Sequence, residues 1–145
     1  MQIAMLLYRL SITFWTGGIT LFTFVLTPIL FKTLSRDHAG QIVGLLFPGY
    51  FRWGLACGVI ALASRLVMRT NALVPACLLV VMLALTSFQA FSIEPRAAAL
   101  KRQIPSFDTT PKEHPLRREF SKLHGISAGC NLAVVAGGIA LVVML

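Results

Sequence analysis

Charge is scarce in this 145-residue chain, and acids are scarcest: five Asp and Glu stand against thirteen Lys and Arg, and charged residues make up 12% of the whole. Ordinary soluble domains carry about 25% charged residues. A soluble basic protein would need far more charge to cover its surface. The net charge of +8 and the pI near 10.3 therefore do not point to nucleic acid. Cysteine is limited to Cys57, Cys77 and Cys130, all inside apolar runs and without a CxxC, which excludes a disulfide framework. The histidines, His38, His114 and His124, include no pair at helical i, i+4 spacing, so no single helix builds a zinc or bis-histidine haem site. No P-loop, GxGxxG, nucleophile elbow or paired carboxylate set is present, and no enzymatic chemistry is visible. The chain also lacks the long alternation of apolar and polar residues that a membrane β-barrel requires.

What remains is apolar sequence, 57% of residues with a mean hydropathy of +0.79. Four runs, residues 6–31, 48–68, 72–93 and 125–145, each suffice to cross a bilayer, which takes about 20 residues in a helix. The expected fold is an all-α, four-transmembrane-helix bundle forming one domain over residues 1–145. A short interfacial helix, GQIVGLLF, is expected before Pro48, between spans one and two, and a basic helical loop between spans three and four. The first run lacks leading basic residues and a cleavage pattern, so it reads as a retained helix rather than a signal peptide. A tight turn is expected around Arg69, Thr70 and Asn71. Pro95 suits the first turn of a helix through Lys101 and Arg102, the stretch PSFDTTPKEHP reads as irregular loop, and Pro115 opens a helix into the fourth span.

The faces of these helices carry the remaining information. Arg9, Thr13, Thr16, Thr20, Thr23 and Thr27 recur at spacings of three and four and share one face, with Gly17 and Gly18 beside it. This stripe reads as a packing seam or, alternatively, as the polar lining of a solute path. Gly54, Gly58 and Ala61, and Gly125, Gly129, Ala133 and Gly137, form small-residue ladders that suit close helix packing in lipid. His124, Ser127 and Asn131 share another face of the fourth span. An amide inside a span is costly unless paired, so Asn131 is expected to bond across to Gln89 or Thr86. A Glu94–Arg52 pair would reduce the expense of both charges at the membrane interface. Cys130, with Cys57 at similar depth or with His124, offers ligands for a soft metal such as Cu(I), against the commoner role of buried cysteine as apolar filler.

Three segments also resemble a known family: LSRDHAGQIVGLLFPGYF after the first span, EPRAAAL after the third, and REFSKLHGISAGCNL entering the fourth. In order and spacing they are similar to the eukaryotic transmembrane protein 205 and its bacterial relatives, a four-span family. The likeness is carried by Arg36, Gly40, Phe47, Pro48, Tyr50, Phe51, Glu94, Pro95, Arg96, His124, Gly125, Ser127, Cys130 and Asn131. It implies a four-span fold without an assigned reaction. The eukaryotic member's link to platinum-drug resistance implies export or vesicular trafficking. A shorter loop between the third and fourth spans implies a bacterial member in the cytoplasmic membrane. The polar cluster expected at one side comprises Arg36, Arg52, Glu94, Arg96, His124, Ser127 and Asn131, either a solute site or a network locking helix ends. Thr16, Thr20, Gly54, Gly58, Gly125 and Gly129 are expected at packing contacts.

Three functions follow: handling of a soft metal or small solute, an accessory subunit packed against a larger membrane complex or a second copy, and a haem-bearing carrier using His124. No resident cofactor and no nucleic acid are expected, and membrane lipids are the expected surroundings. Lys32, Arg36, Arg52, Arg96, Lys101, Arg102, Lys112, Arg117, Arg118 and Lys122 fall on one predicted side, and Arg9, Arg65 and Arg69 on the other. Positive charge accumulates on the cytoplasmic side, which puts both termini outside. Compartment-sensitive reporters fused to either terminus are expected to read outside. A cytoplasmic signal from either end contradicts this topology.

Overall fold

The computed structural model describes residues 1–69 and 71–145. Four helices long and apolar enough to cross a membrane account for most of them: α1 (Gln2–Thr33), α2 (Arg36–Met68), α3 (Leu73–Gln103) and α4 (Pro115–Val143). Each packs on its neighbour in sequence and α4 closes on α1, giving an up-down-up-down bundle. The termini meet at one end, where Arg9 Nη2 donates to the Leu145 carbonyl at 3.3 Å. Arg65 lies at this end too, buried, donating to the Ala72 carbonyl at 2.5 Å and lying 5.8 Å from the Tyr8 ring centroid. Arg69 ends α2 in the left-handed conformation, φ 51°. The turn expected there includes Thr70, which lies outside the described residues.

The helices run well past the apolar segments read from sequence. Arg9 and Lys32 on α1 are 23 residues apart, ~34 Å along a helix, close to the hydrocarbon thickness of a bilayer. The segment GQIVGLLF is not a separate interfacial helix. It belongs to α2, which continues through Pro48 without a break. Proline removes one backbone bond, here to the Gly44 carbonyl, but helix packing on both sides tolerates that loss in membrane bundles. Lys101 lies against this weak point: a Cβ on Gly44 would be 3.3 Å from its Nζ, which donates to the Gly40 carbonyl one turn away.

Pro28 and Pro95 act differently. Each follows a π-helical turn, Phe22–Leu26 in α1 and Gln89–Ile93 in α3, by two residues. The wider turn shifts the hydrogen-bond register just ahead of the residue that cannot donate. The helix through Lys101 and Arg102 is therefore the end of α3, not an independent loop helix. The loop from Ile104 to His114 is tied to α2 by reciprocal bonds. Asp37 accepts from Ser106 Oγ at 2.5 Å and Phe107 N at 2.6 Å, while Asp108 accepts from Arg36 N and Asp37 N at 3.1 and 3.2 Å. Asp108 thus satisfies two orphan donors at the start of α2, beside the N-cap Ser35, which accepts from His38 N.

The core occupies the half of the bundle near the termini. Trp15 is its centre, 2% exposed, with Ile12, Leu79, Met82, Val134 and Leu141 around it. Gly54 and Gly58 make room for this ring: a Cβ on Gly54 would lie 2.9 Å from Trp15 Nε1, and one on Gly58 2.4 Å from Leu83 Cδ2 and 2.7 Å from the Trp15 ring. Gly138 does the same for Thr16 and Gly137 for Met82. The expectation for Gly125 and Gly129 is corrected, since nothing lies within 4 Å of a Cβ at either. Both sit on the outward side of α4, because its inward side at that level is taken by Ser127 and Asn131. Gly58→Ala is accordingly expected to destabilise the bundle by about 1–3 kcal/mol through overpacking. Gly129→Ala, into open space on a helix, is expected to be neutral or slightly stabilising. Thermal unfolding in detergent compares the two, and equal effects contradict this packing.

Candidate functional site

In the other half of the bundle, toward the end rich in Lys and Arg, the packing opens. A cavity of about 230 Å³ lies between α1, α2, α3 and α4, lined by Phe22, Thr23, Thr27, Phe47, Tyr50, Phe51, Gln89, His124, Ser127, Ala128, Asn131 and Leu132. A second void of about 10 Å³, between Trp15 and Gln89, shares Tyr50, Phe51, Gln89 and Asn131 with it. That void has room for one water at most.

Asn131 organises the walls. Tyr50 Oη donates to its Oδ1, and its Nδ2 donates to Thr23 Oγ1 at 2.5 Å, so one amide joins α4 to α2 and to α1. Beside it, Ser127 Oγ donates to Gln89 Oε1 at 3.0 Å and joins α4 to α3. The expected interhelical bond of Asn131 therefore exists, but with Tyr50 and Thr23 in place of Gln89 or Thr86. The turn of helix between Ser127 and Asn131 explains the exchange: Ser127 faces α3, and Asn131 is rotated toward α1 and α2. Phe22, Phe47, Tyr50 and Phe51 form a ring cluster on one wall, with Phe22 and Tyr50 centroids 4.5 Å apart and Phe47 and Phe51 5.5 Å apart. Both π-helical turns feed the cavity, one through Phe22 and Thr23 and the other through Gln89.

One polar group at the cavity is left over. Thr27 Oγ1 is buried and has no hydrogen-bond partner. Thr16 Oγ1, packed under Gly138 in the core, is the other buried hydroxyl without a partner, and Gln89, 2% exposed, accepts from Ser127 through Oε1. Buried polar groups normally find partners, so such exceptions mark places where something else supplies them. No Asp, Glu, Lys or Arg lines the cavity.

The sequence-predicted cluster is thus divided. His124, Ser127 and Asn131 come together at the cavity; Arg36, Arg52, Glu94 and Arg96 do not join them. Arg36 contributes its backbone N–H to the Asp108 cap. Arg96 is exposed. Glu94 and Arg52 form no ion pair among the described residues. Arg52 lies 16 residues into α2, ~24 Å from its start, and is exposed on the outer surface. The pairing expectation took Pro48 as the start of the span, whereas α2 begins twelve residues earlier. His124 and Cys130, named together for a soft metal, are six residues apart on α4, ~9 Å along the axis and roughly 120° around it. Cys130 does not line the cavity, Cys57 is buried in the Trp15 core and Cys77 is exposed. No group of three or more metal-ligating His, Cys, Asp or Glu occurs among the described residues.

The threonine stripe divides between the core and the cavity. Thr16 packs under Gly138, whereas Thr23 and Thr27 line the cavity. Tyr50, named among the residues that carry the family resemblance, was left out of the expected polar cluster. Its position four residues before Gly54, on the inward side of α2, was the available signal.

Known proteins were compared with this chain. Residues 10–106 match DUF4149, a domain of unknown function. An uncharacterized protein of Aquifex aeolicus (strain VF5) is 30% identical over 124 residues, covering 86% of this chain and 83% of its own. No solved structure matches. With the family match covering most of its length, including α2, α3 and most of α1, the chain belongs to the DUF4149 family.

Proposed function

We propose that this protein binds a small uncharged solute in the cavity between its four helices, as part of moving or sequestering that solute at a bacterial cytoplasmic membrane. The observation that carries the reading is a cavity with room for a ligand, walled by aromatic rings and polar side chains that include the unpartnered Thr27 hydroxyl and the Gln89 amide. Ligand sites are mostly apolar concavities with a few convergent polar groups, and this one has four aromatic rings and a fixed set of hydroxyls and amides. A lining without charged side chains favours an uncharged guest, since an ion would be left without a counter-charge in a medium of low polarity. The resemblance to the transmembrane protein 205 family, with its implied export role, agrees with solute handling. The soft-metal form of that role draws no support from the separated positions of Cys130 and His124, and His124 is the sole histidine at the cavity, so a haem would lack a second histidine ligand.

A second reading, association with another membrane subunit or a second copy, is favoured by the outward Gly125 and Gly129 and by the exposed Arg52 within a membrane-crossing helix. Small residues permit close helix approach, and a cation facing lipid is expensive. A stoichiometric partner retained in mild detergent supports this reading; a monomer that purifies alone contradicts it.

For the solute reading, native mass spectrometry of protein released gently from membranes is expected to show a noncovalent small-molecule adduct that Gln89→Leu loses. Protein free of adduct in every preparation contradicts it. Thr27→Val, which removes an unpaired buried hydroxyl at nearly constant volume, is expected to stabilise the ligand-free protein by about 1 kcal/mol while weakening adduct retention. Unchanged adduct retention in that variant excludes a role for Thr27.

A further inference from the structure

The cavity has an opening on the side of the bundle. From Gln2 to Leu21, α1 packs on both α2 and α4; beyond the π-helical turn, Thr27–Thr33 packs on α2 and makes no extensive contact with α4 among the described residues. The two helices therefore part at the level of the cavity. Half-buried Thr27 stands on one side of the gap, and Ala128 and Leu132 stand on the other, these two lining the cavity while exposed on the outside of the bundle, Leu132 to 50%. Asn131, bonded to Thr23, marks where the gap closes.

The gap lies at hydrocarbon depth. It runs from Thr27 and Ala128, five and six residues from Lys32 and Lys122 (~8–9 Å along the helices), to Thr23 and Leu132, ~13–15 Å from the same cations. Toward that end His124, at the rim of the cavity, lies parallel to Phe120 at 6.2 Å and 7°, and Phe120 meets Phe107 edge to face at 4.9 Å. Arg117 holds Phe107 in place, donating to its carbonyl at 2.9 Å with its guanidinium 5.4 Å from the ring. The loop carrying Phe107 is itself bonded to Asp37.

We propose that the ligand enters from the bilayer through the gap between α1 and α4, and that it is a membrane-dissolved molecule with an uncharged, carbonyl-bearing ring as its head and an apolar tail left in the lipid. This rests on the solute-binding reading above. The volume of about 230 Å³ is that of about eight waters, which seats one substituted ring and no long chain. Phe22, Phe47, Tyr50 and Phe51 offer faces and edges for a ring to pack on. The Gln89 NH₂ group and the Thr27 hydroxyl offer donors, which suit the oxygen acceptors of a carbonyl. Apolar Ala128 and Leu132 at the gap suit a chain passing out.

The test uses the full chain in lipid nanodiscs and two probes, a decyl-tailed benzoquinone and the same head without its tail, with saturable quenching of Trp15 and Trp53 emission as the readout. Both probes are expected to bind, the tailed one more tightly. Ala128→Phe, which places a ring at the gap, is expected to weaken the tailed probe about tenfold more than it weakens the tail-free head. Leu132→Phe provides an independent second block if the first variant loses its helical circular-dichroism signal. Tailed binding that neither variant weakens overturns entry from the bilayer while the cavity reading stands. Absence of saturable binding by both probes overturns this ligand class and removes support from the cavity reading with it.

Discussion

The side-chain amide of Asn131 is the interaction around which this bundle is arranged. Hydrocarbon offers a polar group no solvent, so an amide placed there must be satisfied by protein. Asn131 is satisfied from two helices at once, accepting from Tyr50 and donating to Thr23. Such bonds contribute about 1 kcal/mol each between membrane helices. Their larger effect is geometric, because they fix where α1 and α4 still meet and where they separate.

The two halves of the molecule divide along this line. Near the termini, Trp15 fills the space that Gly54 and Gly58 leave, and interdigitation of large and small residues supplies the packing that holds helices together in lipid. On the other side, α1 carries a π-helical turn and Pro28, and α3 carries the same combination with Pro95. These turns carry Thr23 and Gln89 to the cavity and interrupt the regular side-chain spacing that close packing needs. Rigidity at one end and an unfilled, partly unsatisfied space at the other is a common division of labour between scaffold and binding site.

The class of the fold was legible in the amino-acid sequence because long apolar runs have one simple solution in a membrane, and four such runs give a four-helix bundle. The ends of the helices were not, because polar residues in the flanks continue a helix as readily as they end it. Arg36 to Phe47 shows this: hydropathy falls there, but the Ser35 and Asp108 caps start α2 well ahead of Pro48. Single-helix spacing correctly grouped His124, Ser127 and Asn131, a local relation. It could not pair Asn131 with Tyr50, 81 positions away, or exclude Arg52 from the cluster, since both depend on how neighbouring helices are rotated. The prolines at positions 28 and 95 were visible, but the π-helical turns ahead of them have no signature in apolar periodicity.

The Tyr50–Asn131 bond is tested most directly by a double-mutant cycle on thermal stability with Tyr50→Phe and Asn131→Leu, which isolates the energy of the pair from the effect of each residue alone. If the amide holds the helices at the mouth of the cavity, the two substitutions are strongly non-additive, with a coupling of about 1 kcal/mol. Effects that sum to within about 0.3 kcal/mol contradict the arrangement on which the cavity and its opening depend.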